Sequence, residues 1–249
     1  MRVSCIFDSI RTMQAVILAA GRGTRMDELT TAVPKPMLEV SGKSLLEYKF
    51  DALPDHVEEV VLIVGYLGDV IRQHFGALYG SKRITYVEQE RMDGTAGALW
   101  HAKSILRDRF LIMMGDDIYA KEDVEHCVED SSSWKLLVQA LPQMRRAGSV
   151  QLDEEGLIID IIESKEEDAA RLESGLASTN LYVLDTRLFS FPLVEKHEGS
   201  LEYGLPQTVV SAAKKLGIPF EPVFTQKWIQ ITEPKDLVTA AEILKNPDF

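Results

Sequence analysis

The sequence predicts an α/β fold in which a mainly parallel sheet carries helices on both faces. Residues 14–19 (QAVILA) form a short apolar run that ends in a glycine-rich turn, as a buried parallel strand does. Similar runs alternate with stretches of helical periodicity, which is typical of parallel strands joined by crossover helices. With 45% hydrophobic residues, the 249-residue chain can bury a large core.

The first half of the chain alternates regularly between strand and helix. Strands are predicted at residues 14–19, 59–64, 83–88 and 110–114, and helices at residues 44–53, 69–75 and 96–106. The last of these strands, FLIMM, ends in Gly115-Asp116-Asp117. Because ligands of such sheets bind beyond the carboxyl ends of the strands, Asp116 is a candidate site residue.

The second half is less regular. Strands are predicted at residues 134–141, 148–152, 157–162 and 179–184, and helices at residues 205–216 and 234–245. The sequence has no internal repeat, linker or low-complexity segment, and no hexapeptide repeat of the β-helix type. We expect residues 13–249 to form a single domain whose second half elaborates the first, and residues 1–12 to be an N-terminal extension or tail.

The composition excludes several classes of protein. A formal net charge of −12 argues against non-specific binding to nucleic acid or anionic lipid. No apolar run approaches the roughly 18 residues of a membrane span. The first twelve residues lack a long apolar stretch and carry Asp8 and Arg11, so we do not expect them to be a signal peptide. Cys5 and Cys127 form no C-x-x-C pair, so we expect a reducing, cytoplasmic location.

A glycine-rich loop directly follows the first predicted strand. In residues 19–25 (AAGRGTR), glycines would let backbone N–H groups cradle phosphates, and Arg25 adds a charge for phosphate oxygens. A dinucleotide fingerprint would need a glycine where Met26 stands, and a P-loop would need one where Met37 stands. The triplet at residues 42–44 (GKS) is therefore predicted to be a turn and a helix start. A plain tight turn is the alternative for the loop.

A second motif, Pro34-Lys35-Pro36-Met37, lies shortly after the loop. Together with residues 18–25 (LAAGRGTR) and the amphipathic helix that follows, it resembles the sugar-phosphate nucleotidyltransferase family, which includes glucose-1-phosphate thymidylyl- and uridylyltransferases. The resemblance extends over about residues 14–244, without a C-terminal β-helix. It implies a Rossmann-like core with a mixed sheet, a nucleotide-binding half (about residues 13–130) and an acceptor-binding half (about residues 131–249). It also implies an in-line, Mg²⁺-dependent displacement at the α-phosphorus.

The resemblance implies three catalytic residues. Arg25 would contact the leaving pyrophosphate, Lys35 would neutralise charge in the transition state, and Asp116 would bind the metal. A solvated lysine between two prolines is the alternative for Lys35. Gln89 would pair with a uracil or thymine edge, since an amide offers one donor and one acceptor; a polar strand end is its alternative. The nucleotide site so implied comprises Leu18, Ala19, Ala20, Gly21, Arg22, Gly23, Thr24, Gln89, Gly94 and Thr95.

The acceptor side matches the family with departures. The implied acceptor residues are Gly148, Glu163, Lys165, Ser178, Thr179 and Glu202. The family usually has lysine directly after the glutamate, where Ser164 stands here. The arginine often found before the acidic segment is replaced by Glu198. These changes affect the identity of the acceptor more than the reaction.

The second metal ligand is the sharpest departure. Residues 228–231 (WIQI) align with a family W-x-D-I segment, so Gln230 stands where the family has a metal-binding aspartate. An amide oxygen can coordinate Mg²⁺, and we predict that Asp116 and Gln230 form the metal site. Asp117 is interpreted as a neighbour or a helix cap. A degraded, inactive site is the alternative.

The sequence therefore predicts an enzyme that transfers a nucleotidyl group from a nucleoside triphosphate, UTP or dTTP, to a sugar 1-phosphate and releases pyrophosphate. Two alternatives stay open. One is a cytidylyltransferase acting on a phosphorylated alcohol such as phosphocholine, for which an aromatic cage would be expected. The other is a non-catalytic regulatory subunit that binds a nucleotide sugar. A homo-oligomeric assembly is also left open.

Overall fold

The structure, a computed structural model, describes residues 13–129, 131–144, 147–163 and 174–246. The predicted N-terminal extension, residues 1–12, lies outside this part. The strands are β1 (Gln14–Ala19), β2 (Glu39–Val40), β3 (Lys43–Ser44), β4 (Glu59–Val64), β5 (Leu78–Tyr79), β6 (Lys82–Glu88), β7 (Arg109–Met114), β8 (Trp134–Leu141), β9 (Ser149–Leu152), β10 (Ile158–Ile162), β11 (Gly175–Asp185) and β12 (Phe220–Thr225). The α-helices are α1 (Leu45–Ala52), α2 (Gly68–Phe75), α3 (Gly94–His101), α4 (Lys121–Val128), α5 (Leu205–Leu216) and α6 (Pro234–Ile243), and 3₁₀ helices span Thr24–Thr30, Lys35–Met37 and Thr186–Ser190.

One mixed sheet runs through both halves of the chain. Its order is β10-β9-β11-β7-β1-β4-β6-β5, with β8 pairing β11 and β12. The central strands β7, β1, β4 and β6 are parallel, whereas β11 lies antiparallel to β7 and to β8. The predicted fold class, a mixed and mainly parallel sheet with helices, is confirmed. The parallel centre places the carboxyl ends of β1, β4 and β7 at one edge.

Each face of the sheet has its own core. On one face, α3 and α5 pack Leu99 and Val209 against Phe110 and Trp134. On the other, α1, α2 and α4 cover the strands with side chains such as Phe50. A smaller cluster joins α6 to the 3₁₀ helix Thr24–Thr30 and to the start of α1. Within the residues described, no helix has both the length and the apolar character that crossing a bilayer requires.

Helix α4, strand β12 and the two-residue strands β2, β3 and β5 were not predicted from the sequence. Helix α4 (KEDVEHCV) is mostly polar, and its buried residues are only Val124, Cys127 and Val128. Strand β12 (FEPVFT) contains Pro222, which argues against a strand. Because β12 pairs with β8 alone, its proline is tolerated on an edge. Helix α3 also ends at His101, earlier than predicted.

The segment at residues 42–44 forms the predicted turn and helix start. Gly42 has a φ of 79° in the β2–β3 hairpin. Ser44 then caps α1: its Oγ accepts from the Glu47 backbone N–H at 3.2 Å, and the Glu47 carboxylate accepts from the Ser44 N–H at 2.7 Å. The prediction is confirmed at this point.

Candidate active site

A cavity of about 380 Å³ opens at the carboxyl ends of β1 and β7. Such a crevice is where ligands of parallel sheets bind. The predicted site residues that line it are Leu18, Ala19, Ala20, Gly21, Gly23, Thr24, Arg25, Lys35, Gln89, Gly94, Thr95, Asp116, Glu163 and Glu202. The fold thus brings residues from both halves of the chain into one cavity.

The glycine-rich loop forms one wall of this cavity. Gly23 has a φ of 63°, and a Cβ there would lie 2.8 Å from the Lys35 Cβ, so the fold itself requires this glycine. Gly21 is different, because its φ is not left-handed and a Cβ would contact nothing within 4 Å. The open space beside Gly21 therefore belongs to the cavity, where a ligand can approach the backbone closely.

Lys35 is held firmly against the loop. Its Nζ donates to Asp116 Oδ2 at 2.7 Å and to the Ile231 carbonyl oxygen at 2.5 Å. Only 12% of its side chain is exposed. The alternative of a freely solvated lysine is therefore wrong in this structure, since the ammonium group is fixed beside a carboxylate inside the cavity.

Asp116 enters the cavity from the end of β7. A Cβ on Gly115 would lie 2.9 Å from the Leu18 carbonyl oxygen, so the ends of β7 and β1 are in close contact. This contact places Asp116 next to the glycine-rich loop. Its side chain is 38% exposed, which leaves carboxylate oxygen surface open to a ligand.

Asp117 has a different role from its neighbour. Its carboxylate accepts from Trp228 Nε1 at 3.1 Å and from the Ile231 N–H at 3.2 Å. It caps no helix, which corrects that part of the sequence interpretation. Burial raises the pKa of Asp117 to about 7, and burial lowers the pKa of the enclosed Lys49 to about 8. Asp117 thus anchors the segment after β12 behind the cavity.

Gln89 is 7% exposed at the end of β6. Its Nε2 donates to Asp93 Oδ1 at 2.8 Å and to the Gly94 carbonyl oxygen at 3.1 Å. Both amide protons are therefore used within the protein. The sequence predicts an amide that offers a base one donor and one acceptor, whereas the geometry leaves only the acceptor Oε1.

Residues 194–204 form a hairpin that closes the opposite wall. The Lys196 N–H donates to the Glu202 carbonyl oxygen at 2.8 Å. The hairpin is fastened to the start of α3, because Tyr203 N–H donates to the Asp93 carbonyl oxygen at 2.8 Å. Gly94 has a φ of 89°, and a Cβ there would overlap the Tyr203 backbone. The fold therefore explains this glycine without a nucleoside.

Lys196 is a cavity residue that the sequence analysis missed. Its Nζ lies 3.5 Å from Glu202 Oε2, and 43% of its side chain is exposed. No motif marks it, because a lysine six residues before a glutamate has no sequence signature. Other lining residues were also not predicted: Pro36, Met92, Ala98, Met114, Gly204 and Thr232.

Glu163 stands at the end of β10 on the same side. It accepts from Gln207 Nε2 at 3.2 Å, across the first turn of α5. A second predicted acceptor residue, Lys165, lies outside the described residues.

Five predicted residues do not line the cavity: Arg22, Gly148, Ser178, Thr179 and Gln230. The Arg22 guanidinium lies 5.6 Å from the centre of the Tyr66 ring. Thr179 is fully buried and donates to the Leu137 carbonyl oxygen at 2.8 Å. The placement of Thr179 in the cavity is corrected, since its hydroxyl serves the sheet.

Gly148 and Ser178 are sheet contacts as well. The Ser178 N–H donates to the Gly148 carbonyl oxygen at 2.8 Å. A Cβ on Gly148 would lie 2.9 Å from a methyl group of Ile161, so close packing explains this glycine. Neither residue reaches the cavity wall.

Gln230 is half-buried between two anchored neighbours. Ile229 pairs with Ile118 as an isolated β-bridge, and the Ile231 backbone bonds both Lys35 and Asp117. The segment is thus held by its isoleucine backbones. Within the described chain, no group of three or more His, Cys, Asp or Glu side chains is arranged to hold a metal ion.

The family of the chain follows from comparison with known proteins. The family model for nucleotidyl transferases matches residues 14–246, nearly the whole chain. The chain belongs to the nucleotidyl transferase family. This family is enzymatic, and the cavity contains the loop, Lys35 and Asp116 on which the sequence resemblance was based.

Two relatives within the nucleotidyl transferase family illustrate the similarity. The UTP–glucose-1-phosphate uridylyltransferase AglF of Haloferax volcanii is 36% identical over 183 residues, which is 71% of this chain and 74% of AglF. The bifunctional protein GlmU of Methanococcus vannielii is 28% identical over 240 residues, 94% of this chain and 56% of GlmU. The chain thus spans about half the length of the GlmU relative.

A solved structure supports the fold of this family member. A Bacillus anthracis protein, crystallised with sucrose and provisionally named a glucose-1-phosphate thymidylyltransferase, superposes with a TM-score of 0.78. The alignment covers 95% of this chain and 97% of the other, at 24% identity. At this identity the similarity shows the shared fold.

Proposed function

We propose that the protein transfers a nucleotidyl group from a nucleoside triphosphate, UTP or dTTP, to a sugar 1-phosphate, forming a nucleotide sugar and pyrophosphate. The observation that carries this proposal is the pairing of Lys35 with Asp116 at 2.7 Å beside the glycine-rich loop. The same cavity receives Gln89 on one side and Glu163 and Glu202 on the other. One cavity therefore presents groups for a triphosphate and groups for a sugar phosphate.

The chemistry needs charge neutralisation more than proton transfer. An oxygen of the acceptor phosphate attacks the α-phosphorus, and the bond from that phosphorus to the bridging oxygen of the β-phosphate breaks. Pyrophosphate leaves with the bonding electrons. The attacking phosphate is already an anion, so no side-chain general base is required. Lys35 and Arg25 line the cavity and would neutralise the phosphate oxygens, while the positioning of both substrates would supply the rest of the rate enhancement.

We propose that Asp116 binds Mg²⁺ together with the phosphates of the substrate. Mg²⁺ often takes only one or two carboxylates and completes its shell with phosphate oxygens and water. Asp116 fits that pattern, because its carboxylate faces the cavity next to the glycine-rich loop. When bound, the ion would supply further positive charge at the triphosphate. Gln230 lies outside the cavity lining, so the proposal does not depend on it.

Gln89 supports a base with a ring N–H. Its Nε2 protons are used by Asp93 and Gly94, which leaves Oε1 as an acceptor. Uracil and thymine present the N3–H group that such an acceptor needs. The contact supports UTP or dTTP over CTP and ATP, whose bases present a ring acceptor; guanine also has a ring N–H, so the contact alone does not exclude GTP.

The acceptor side supplies a cation and two carboxylates. We propose that Lys196 contacts the phosphate of the sugar 1-phosphate and that Glu163 and Glu202 accept from sugar hydroxyls. Lys196→Ala should then raise the KM for the sugar phosphate roughly tenfold and leave the KM for the triphosphate nearly unchanged. Lys214→Ala, on the exposed end of α5, is the matched control. Equal effects on both KM values would count against Lys196.

The proposed function is tested by a panel of UTP, dTTP, CTP, GTP and ATP against several sugar 1-phosphates, read as pyrophosphate release with Mg²⁺. We expect turnover with UTP or dTTP. Turnover with phosphocholine and CTP alone would establish the cytidylyl alternative. Binding of a nucleotide sugar without pyrophosphate release would establish the regulatory one. No aromatic side chain lines the cavity in the described part of the chain, so an aromatic cage does not favour phosphocholine.

A further inference from the structure

The amide of Gln89 is held in one orientation. Its two N–H groups donate to Asp93 Oδ1 at 2.8 Å and to the Gly94 carbonyl oxygen at 3.1 Å. An ionised carboxylate only accepts hydrogen bonds. Turning the amide over would bring Gln89 Oε1 against two other oxygens, Asp93 Oδ1 and the Gly94 carbonyl oxygen. The Oε1 atom accepts no hydrogen bond from the residues that the structure describes, and Gln89 lines the cavity.

Asp93 is itself fixed by its surroundings. Gly97 lies one turn later on α3, and a Cβ there would overlap the Asp93 carboxylate. The missing side chain therefore provides the space in which the carboxylate lies. Asp93 Oδ2 is 3.6 Å from His101 Nε2, and the Asp93 carbonyl oxygen accepts from Tyr203 N–H at 2.8 Å. Side chain and backbone of Asp93 are thus held independently.

We infer that Asp93 is a specificity-determining positioning residue, which selects the nucleobase by fixing the orientation of the Gln89 amide. This inference rests on the proposed function. With Oε1 left as the acceptor of a cavity residue, a base that presents a ring N–H, such as uracil or thymine, completes the hydrogen bond. Cytosine in the same pose presents its N3 acceptor, so two acceptors would face each other without a proton.

The inference is tested by equilibrium binding of UTP and CTP to the full chain with Mg²⁺ and without acceptor, measured by titration calorimetry. We expect the parent to bind UTP about tenfold more tightly than CTP, which corresponds to one misdirected buried hydrogen bond. Asp93→Asn keeps the size of the side chain, but its amide can donate as well as accept. The side chain at position 93 then accepts either orientation of the Gln89 amide, only the Gly94 carbonyl oxygen still opposes the turned one, and the UTP to CTP ratio should fall to about twofold.

Two further variants make the test specific. Glu90→Gln removes an exposed carboxylate three residues earlier and should keep the parental ratio. In Gly97→Ala the added methyl group displaces the Asp93 carboxylate, so the UTP to CTP ratio should fall. This variant tests the role of Asp93 even if Asp93→Asn does not fold.

Three results would count against the inference. A parent that binds CTP as tightly as UTP would overturn it, as would folded Asp93→Asn and Gly97→Ala variants that keep the parental ratio. A parent that binds no triphosphate would contradict the proposed function, and this inference with it. If the parent shows the expected UTP to CTP ratio and the variants keep it, the proposed function stands and only the role of Asp93 is refuted.

Discussion

At the scale of single residues, Lys35 combines a fixed position with a charge. Its ammonium group bonds Asp116 and the Ile231 carbonyl oxygen, and the side chain is mostly buried. Lys35→Ala should lower kcat by about two to three orders of magnitude, because one preorganised donor to a transition state contributes roughly 3 kcal/mol. The measurement is steady-state pyrophosphate release, with circular dichroism to show that the fold is kept.

Lys43→Ala is the matched control for this prediction. Lys43 is a half-exposed lysine that pairs with Asp51 on the surface, and such pairs contribute little. Its variant should keep parental turnover. A Lys35→Ala enzyme with unchanged kcat would show that this ammonium group plays no part in the chemistry.

Substitutions at Asp116 and at Gln230 should affect the Mg²⁺-dependent activity very differently. Asp116→Ala should abolish activity even at high Mg²⁺, because the carboxylate in the cavity is lost. Gln230→Ala should be mild, since Gln230 does not line the cavity. For the same reason, Gln230→Asp should leave the Mg²⁺ needed for half-maximal rate nearly unchanged.

A Mg²⁺ titration of pyrophosphate release for the parent and the three variants checks these expectations. If Asp116→Ala retains parental activity, the metal assignment is wrong. If the parent is inactive and Gln230→Asp restores turnover, the site is a degraded one and the aspartate of the family is needed at that position.

At the scale of elements, the start of α3 and the 194–204 hairpin form one unit. Ala96 N–H donates to the Tyr203 carbonyl oxygen at 3.0 Å, and Tyr203 N–H donates to Asp93. Gly94 lies between them without room for a side chain. Gly94→Ala should push the hairpin outward and separate the nucleotide side from the acceptor side. We expect kcat/KM for both substrates to fall at least about tenfold.

Gly80→Ala separates this packing effect from backbone strain. Gly80 also has a positive φ, 56°, but a Cβ there would contact nothing within 4 Å. Gly80→Ala should lose roughly 1 kcal/mol of stability in urea denaturation through backbone strain alone, and Gly94→Ala should lose more, because its Cβ also displaces the Tyr203 backbone. Activity should fall only for Gly94→Ala. Equal activity in the two variants would show that the hairpin contact is not needed.

At the scale of the whole molecule, the reactivity of the buried Cys127 thiol in α4 measures global unfolding. Cys127 is buried in α4, and burial raises the pKa of its thiol to about 12. The thiolate is the reactive form, so iodoacetamide should not modify Cys127 in the folded protein at about pH 8. Labelling should follow the urea unfolding curve, measured by mass spectrometry of the Cys127 peptide. Rapid labelling without urea would contradict the packing of α4.

The same thiol gives a pH dependence with a definite sign. Above its ordinary pKa of 9.0, the unfolded chain loses the Cys127 proton while the folded chain keeps it. The folded state then binds more protons, so the Cys127 contribution to the free energy of unfolding falls as pH rises from 9 towards 12. Cys127→Ala should remove that part of the alkaline slope. Urea unfolding at several pH values, with parent and variant compared, measures it.

Much of the fold is predictable because its signals are local. The apolar runs of β1, β4, β6 and β7 and the turn chemistry at Gly42 depend on neighbouring residues, and their bounds agree closely with the structure. Helix α4 and strand β12 were missed because their patterns are ambiguous. Only contact with β8 shows that β12 is an edge strand that tolerates Pro222.

The sequence by itself determined the family resemblance, the glycine-rich loop, Lys35 and Asp116, because these lie in short motifs close to two strand ends. Tertiary structure alone decided which other residues meet them. Thr179 is buried in the sheet, Asp117 is hydrogen-bonded to Trp228, and Lys196 lines the cavity. These outcomes depend on contacts between residues far apart in the chain. A side chain's environment is set by the packing of whole elements, which no local spacing encodes.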